Sequence, residues 1–133
     1  MRLLLDTHAL LWALATPGKL APAARRAIQS PQNEVYASVA SAWEIALKVA
    51  LGKLEYDLQS LENGLAASGI LLLGVGLQHA ARVATLPMHH RDPFDRMLVA
   101  QALCEAMALV SRDRELAKYG VRLLWRDAAP PRP

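Results

Sequence analysis

Two periods of apolar and polar residues alternate along this chain. Arg2–Leu5 (RLLL) is a short apolar run ending at Asp6, as a buried strand would be. From Thr7 to Ala15 the spacing becomes helical, and Thr16-Pro17-Gly18 stops it. Ala21–Gln29 predicts a second helix closed by Ser30-Pro31, and Glu34–Ala37 a second strand. Ser38 to Leu51 reads as a strongly apolar helix, with Ser38 as its cap and Gly52 as its stop. Leu58–Ala67 predicts a helix, Ile70–Leu73 a fully buried strand, and Leu77–Leu86 a helix ended by Pro87. Pro93–Ala106 has the clearest amphipathic spacing and is introduced by Asp92-Pro93. Two short strands, Ala108–Ser111 and Val121–Leu124, flank a brief helix at Arg114–Lys118. Strands alternate with helices from end to end, and the strands are nearly all apolar. The pattern predicts an α/β fold: a mainly parallel sheet covered by helices on both faces.

Composition narrows the field. The 133 residues are 53% hydrophobic, which excludes disorder for the bulk of the chain and leaves apolar surface for a partner to bury. One domain is expected over 1–127, with the Pro-rich end 128–133 (AAPPRP) as a disordered tail. The most apolar stretch, Gly69–Gly76, is far short of the ~20 residues that span a bilayer. Asp6 interrupts the amino-terminal apolar run, and no small-residue cleavage site follows, so no signal peptide is read. The single cysteine, Cys104, excludes an internal disulfide framework and a cysteine-based zinc site. A reducing cytoplasm is the expected location. The net charge of +3 is modest, but arginine supplies 11 of the 15 cations, and its fork suits phosphate.

Ligands of open parallel sheets gather beyond the carboxyl ends of the strands. Four carboxylates are expected at that rim: Asp6 closing the first strand, Asp113 after Ala108–Ser111, Asp95 in the first turn of a helix, and Glu44. Each has a plainer reading. Asp6 and Asp113 could cap the helices that follow them. Asp92 fits the cap of a helix begun by Pro93, with Asp95 complementing its dipole. Glu44 could pair with Lys48 on a small wetted stripe. Against that, most of the circumference of its helix is apolar, and a buried charge needs a partner or a metal. Oxygen ligands without Cys or His point to Mg²⁺ or Mn²⁺. Other schemes fail: no GxSxG or HExxH occurs, and Gly74-Val75-Gly76 has His79 where a dinucleotide motif needs its third glycine.

Leu3–Trp12 (LLLDTHALLW), Ser38–Lys48 (SVASAWEIALK), Met88–Ala102 (MHHRDPFDRMLVAQA) and Val110–Asp113 (VSRD) resemble the four motifs of PIN-domain ribonucleases. The resemblance is closest to the VapC toxins of bacterial type II toxin–antitoxin modules and covers all but the tail. It implies a three-layer α/β sandwich and Mg²⁺- or Mn²⁺-dependent endonucleolytic cleavage of RNA. It maps the acidic set onto Asp6, Glu44, Asp95 and Asp113, with Thr7 and Ser111 ordering the site and Asp92 a less certain ligand. It also implies inhibition by a cognate VapB-type antitoxin, and a homodimer is expected. Arg91, Arg96, Arg112 and Arg114 flank the motifs and are candidates for RNA phosphates; the plainer reading is a solvated rim with pairs such as Asp92–Arg96. Two alternatives stand beside this reading. A PIN-like protein could bind RNA or a partner without cutting. A phosphoacceptor receiver domain shares the size and the strand-end aspartates, but lacks here a second acid beside Asp6, an Asp after Ile70–Leu73 and a lysine after Val121–Leu124.

Overall fold

The computed structural model describes residues 1–126, so the expected tail at 128–133 lies outside the described residues. The chain runs β1 (Arg2–Leu5), α1 (Thr7–Ala15), α2 (Pro22–Gln29), β2 (Glu34–Ser38), α3 (Val39–Ala50), α4 (Leu61–Ala67) and β3 (Leu71–Leu73). It continues through α5 (Leu77–Thr85), α6 (Pro93–Glu105), β4 (Ala108–Val110) and β5 (Leu123–Leu124). Single 3-10 segments occupy Pro17–Lys19, Leu58–Ser60 and Arg114–Tyr119. The strands form one sheet in the order β3-β2-β1-β4-β5, and every pairing is parallel. A receiver domain has the order 2-1-3-4-5, so that alternative is set aside on topology.

The period of two along each strand divides the core. Leu3 and Leu5 of β1, Val35 and Ala37 of β2, and Ala108 and Val110 of β4 share one face with Leu10, Ala24, Ile45 and Leu65 from α1 to α4. Leu4 and Leu109 point to the other face, against Leu98, Val99 and Ala102 of α6 and Leu116 and Tyr119 of the last 3-10 segment. A helical layer on each side of one sheet is the expected sandwich.

Two expectations change. Ile70–Leu73 is not a fully buried strand: Ile70 is buried, but Leu71 and Leu72 are 48% and 56% exposed. β3 is the sheet edge and pairs only with β2, so its apolar side chains lack a covering layer. The helix read as most amphipathic, α6, instead buries Leu98 to Ala102 without interruption. Five consecutive buried positions go once round a helix, which makes α6 an interior element.

Candidate active site

β1 continues toward β2 on one side and has β4 as its neighbour on the other. The crevice at the carboxyl ends of β1 and β4 is therefore the place where an open parallel sheet takes a ligand. A cavity of about 410 Å³ opens there, walled by Asp6, Thr7, His8, Glu44, Lys48, Asp92, Asp95, Arg112 and Asp113. All four expected carboxylates face it, although they come from four separate stretches of chain.

Asp6 follows β1 and caps α1, its Oδ1 accepting from the Ala9 N–H at 2.8 Å. The capping and cavity-wall readings thus both hold. Burial pushes the Asp6 carboxyl above its ordinary value, opposed by a hydrogen bond from the Ser111 side chain and the Ala9 N–H. Glu44 is buried on α3. Its Oε1 lies 2.6 Å from Thr7 Oγ1, which is 3.0 Å from Ser41 Oγ. A carboxylate only accepts, so the Thr7 hydroxyl donates to Glu44 and Ser41 donates to Thr7. Lys48 Nζ stands 2.8 Å from Glu44 Oε2. The expected Glu44–Lys48 pair therefore exists, but inside the cavity wall rather than on a wetted stripe.

Asp95 sits in the first turn of α6. Burial first, then the charges of Asp92, Asp6 and Glu44, push its carboxyl up to about 7. Asp92 accepts the Phe94 and Asp95 N–H groups at 2.8 and 3.1 Å through one oxygen; it is the cap of α6 and still lines the cavity. Asp113 follows β4 and accepts the Glu115 N–H at 3.0 Å. Burial pushes Asp113 up, but the His90 hydrogen bond and the Glu115 N–H outweigh it, and its carboxyl lies below the ordinary value. Ser111, fully buried, accepts from the Asp113 N–H at 3.1 Å and so ties Asp113 to Asp6.

Four contributors escaped the sequence reading, among them His8, which walls the cavity. Ser41 extends the Thr7–Glu44 link, and its signal was only its place one helical turn before Glu44. Lys48 was seen as a salt-bridge partner and not as a wall of the site. His90, in the loop before α6, was not among the expected site residues. Its Nε2 lies 2.9 Å from Asp113 Oδ2, a bond that raises its own pKa. Ligand atoms of His90, Asp95 and Asp113 lie within 4.8 Å of one another.

The four arginines separate. Arg112 lines the cavity, and Arg114 lines a cleft next to it. Arg91 lies on an apolar cleft between α3, α5 and α6. Arg96 is not at the surface and forms no pair with Asp92. It is buried, and its guanidinium donates to the carbonyls of Pro87 at 2.8 Å, Val83 at 3.1 Å and Leu86 at 3.3 Å. That commitment removes it from the RNA candidates.

The donor set fits a hard divalent cation. Burial, and after it the repulsion of neighbouring carboxylates, displaces Asp95 upward, and a dication relieves both. Asp6, Glu44, Asp95 and Asp113 could hold it, and a nitrogen at His90 would suit Mn²⁺ as well as Mg²⁺.

Residues 3–122 match the PIN domain family model. Ribonuclease VapC22 of Mycobacterium tuberculosis is 30% identical over 124 residues, covering 87% of this chain and 90% of that protein. The VapBC2 complex of Rickettsia felis, solved with a DNA fragment from its promoter, contains a similar chain with a TM-score of 0.70. Identity there is 14%, over 94% of this chain and 99% of that one. VapBC-1 of nontypeable Haemophilus influenzae aligns with a TM-score of 0.65 and 16% identity over 93% and 97%. The shared fold, the matched span and the similarity to VapC22 agree: the chain belongs to the PIN domain family and, within it, to the VapC group.

Proposed function

We propose that this chain is a divalent-cation-dependent endoribonuclease, the toxin of a toxin–antitoxin pair. The observation that carries the reading is the convergence of Asp6, Glu44, Asp95 and Asp113 on one cavity, with Asp95 pushed up to about 7. The relative named a ribonuclease supports the reaction, and the solved VapBC complexes support a VapB-type antitoxin as partner. Mg²⁺ or Mn²⁺ is the expected cofactor, and a second copy of this chain the expected assembly.

Asp6, Glu44, Asp95 and Asp113 would hold a dication, which would supply charge for the scissile phosphate and for activating a water near neutral pH. The chain's own residues prepare for it. Asp6 and Asp95 supply negative charge in a half-dry setting, where it attracts a cation more strongly than in water. Thr7 and Ser41 fix the rotamer of Glu44, and Ser111 fixes Asp6 against Asp113. Lys48 and Arg112 stand at the cavity wall as cations able to meet phosphate oxygens. No serine or cysteine nucleophile is needed.

Cleavage of mixed RNA with Mg²⁺, and its loss in EDTA, tests the reaction. Asp6→Asn is expected to abolish cleavage with the fold retained. Cleavage undiminished by EDTA or by Asp6→Asn would overturn the metal mechanism. RNA bound but uncut at every Mg²⁺ concentration would favour the non-cleaving PIN-like reading. Single-stranded DNA in the same assay separates a DNA nuclease.

A further inference from the structure

A second cleft, of about 450 Å³, opens beside the carboxylate cavity and is lined by Ser111, Arg112, Arg114, Leu123, Trp125 and Arg126. Arg112 walls both, so the two adjoin. The cause is the sheet. β4 and β5 end side by side, with the Ser111 N–H donating to the Leu124 carbonyl at 3.3 Å. Residues following β4 therefore meet residues following β5 on the same rim as Asp6 and Asp113.

The chemistry of the two clefts is opposite. Among the described residues, the second is lined by three arginines and no carboxylate. Among the described residues, none of the three arginines has an ion-pair partner. Arg112 is held instead by an aromatic ring: its Cζ lies 5.1 Å from the centre of the Trp12 ring, and Trp12 lies 5.9 Å from Trp125. A ring contact fixes the guanidinium without consuming its N–H donors. Guanidiniums without an ion-pair partner among the described residues, beside a partly buried indole at the cleft wall, are the elements of single-strand recognition, where cations follow the phosphates and rings stack the bases. A duplex keeps its bases inside and gives Trp125 nothing to stack on.

We infer that this cleft is a subsite for single-stranded RNA flanking the cleaved bond, with Arg114 and Arg126 on backbone phosphates and Trp125 stacked on a base. The inference rests on the endoribonuclease reading and deepens it: the strand leaves the carboxylate cavity past Arg112, over the ends of β4 and β5. An acidic protein segment would use the guanidiniums and leave the indole idle.

The test is binding of a fluorescent mixed-sequence single-stranded 12-mer RNA to the full chain, with Ca²⁺ in place of Mg²⁺ to hold back cleavage. Mn²⁺ occupancy, read by electron paramagnetic resonance, is the control for the cation site. Arg114→Ala combined with Arg126→Ala is expected to weaken RNA binding tenfold or more. The slope of log affinity against log salt should fall by about 1.4, since each phosphate contact on a single strand contributes ~0.7. Trp125→Ala should weaken binding about tenfold and Trp125→Phe should restore it, with Mn²⁺ occupancy the same in all variants. Wild-type affinity and slope in the double variant would overturn the subsite and leave the endoribonuclease reading standing. A double variant that loses grip on a VapB-type antitoxin while binding RNA normally would assign the cleft to protein, and overturn it too. A wild-type chain that neither binds nor cuts RNA removes both readings together.

Discussion

Asp92 and Asp95 stand three positions apart at one helix start, yet their surroundings give them different roles. Asp92 spends one oxygen on two backbone N–H groups, a task asparagine performs about as well. Asp92→Asn should therefore stay within about 0.5 kcal/mol of the wild-type stability and retain substantial cleavage. It also removes the second-largest cause of the raised Asp95 pKa, so its cleavage should persist to lower pH than the wild type's. Asp95→Asn replaces a charged ligand by a neutral one and should lower metal-dependent cleavage by ~100-fold or more. A Mg²⁺ titration of RNA cleavage decides between them; a dead Asp92→Asn beside an active Asp95→Asn would reverse the assignment. The Asp95 pKa also sets a stability trend in the metal-free protein. Between its ordinary 3.8 and about 7 the folded chain keeps a proton that the unfolded chain has released. Stability from this group is therefore highest in acid and falls as pH rises toward about 7. At pH 8 in EDTA, Asp95→Asn should melt higher than wild type. After discounting for the partial solvation of the group, the gain is ~1 kcal/mol, about 3–5 °C. At pH 4 the two should melt nearly together. The four acids were legible from their places: Asp6 and Asp113 after strands, Glu44 as a charge within an apolar helix, and Asp95 in the first turn of a helix begun by Pro93. His90 and Ser41 were not, because only the folded chain brings them to Asp113 and Thr7.

One buried arginine joins several elements. Arg96, on α6, gathers the carbonyls of Val83 and Leu86 at the end of α5 and of Pro87 beyond it, and stands 3.4 Å from the Tyr119 hydroxyl. The Val83 carbonyl also accepts the Leu86 N–H at 3.2 Å, and the negative end of the α5 dipole favours a cation at these last carbonyls. The same Tyr119 hydroxyl accepts from the His90 N–H at 2.7 Å. Arg96 thus helps hold the loop between α5 and α6, which carries His90 and Asp92. Arg96→Met should destabilise the fold by about 2–4 kcal/mol in urea unfolding, since several buried carbonyls lose a charged donor. Arg96→Lys should recover only part of that, because a point charge cannot replace the fork. A loss under 1 kcal/mol for Arg96→Met would deny the clamp. The segment HHRDPFDR read correctly as a helix start, yet it gave no sign that one arginine turns inward; side-chain direction depends on α5, which sequence spacing does not place. For the same reason Ile70–Leu73 was recognised as a strand but assigned the wrong degree of burial. Apolarity marks a surface that something covers, and whether a helix or another molecule does so is settled only by strand order.

At the scale of the molecule the uncovered apolar surface is the unresolved demand. Along α3, Val39, Trp43, Leu47 and Leu51 recur every four residues and are 41%, 64%, 42% and 60% exposed. Four-residue spacing builds one ridge of the kind that packs into a groove of another helix. Trp43 rests edge-on against Phe94 at 5.1 Å, and the two help wall an apolar cleft of about 580 Å³ with Met88 and Met97. Isolated exposed leucines need no explanation, but a ridge beside an apolar cleft does. A second copy of this chain supplies both a ridge and a cleft, and twofold symmetry lets each ridge face the other's surface. Glu44 and Lys48 lie one position beyond Trp43 and Leu47 on the same helix, so the covered ridge borders the residues that wall the cavity. The chain is therefore expected to be a dimer by light scattering, with twice its 14.5 kDa mass. Trp43→Glu with Leu47→Glu puts four charges into a twofold interface and should give a folded monomer, because exposed positions tolerate polar replacement within ~0.5 kcal/mol. Circular dichroism matching the wild type would show that the fold survives. A wild-type chain that stays monomeric at high concentration would refute the dimer, and a double variant that still dimerises would move the interface away from α3.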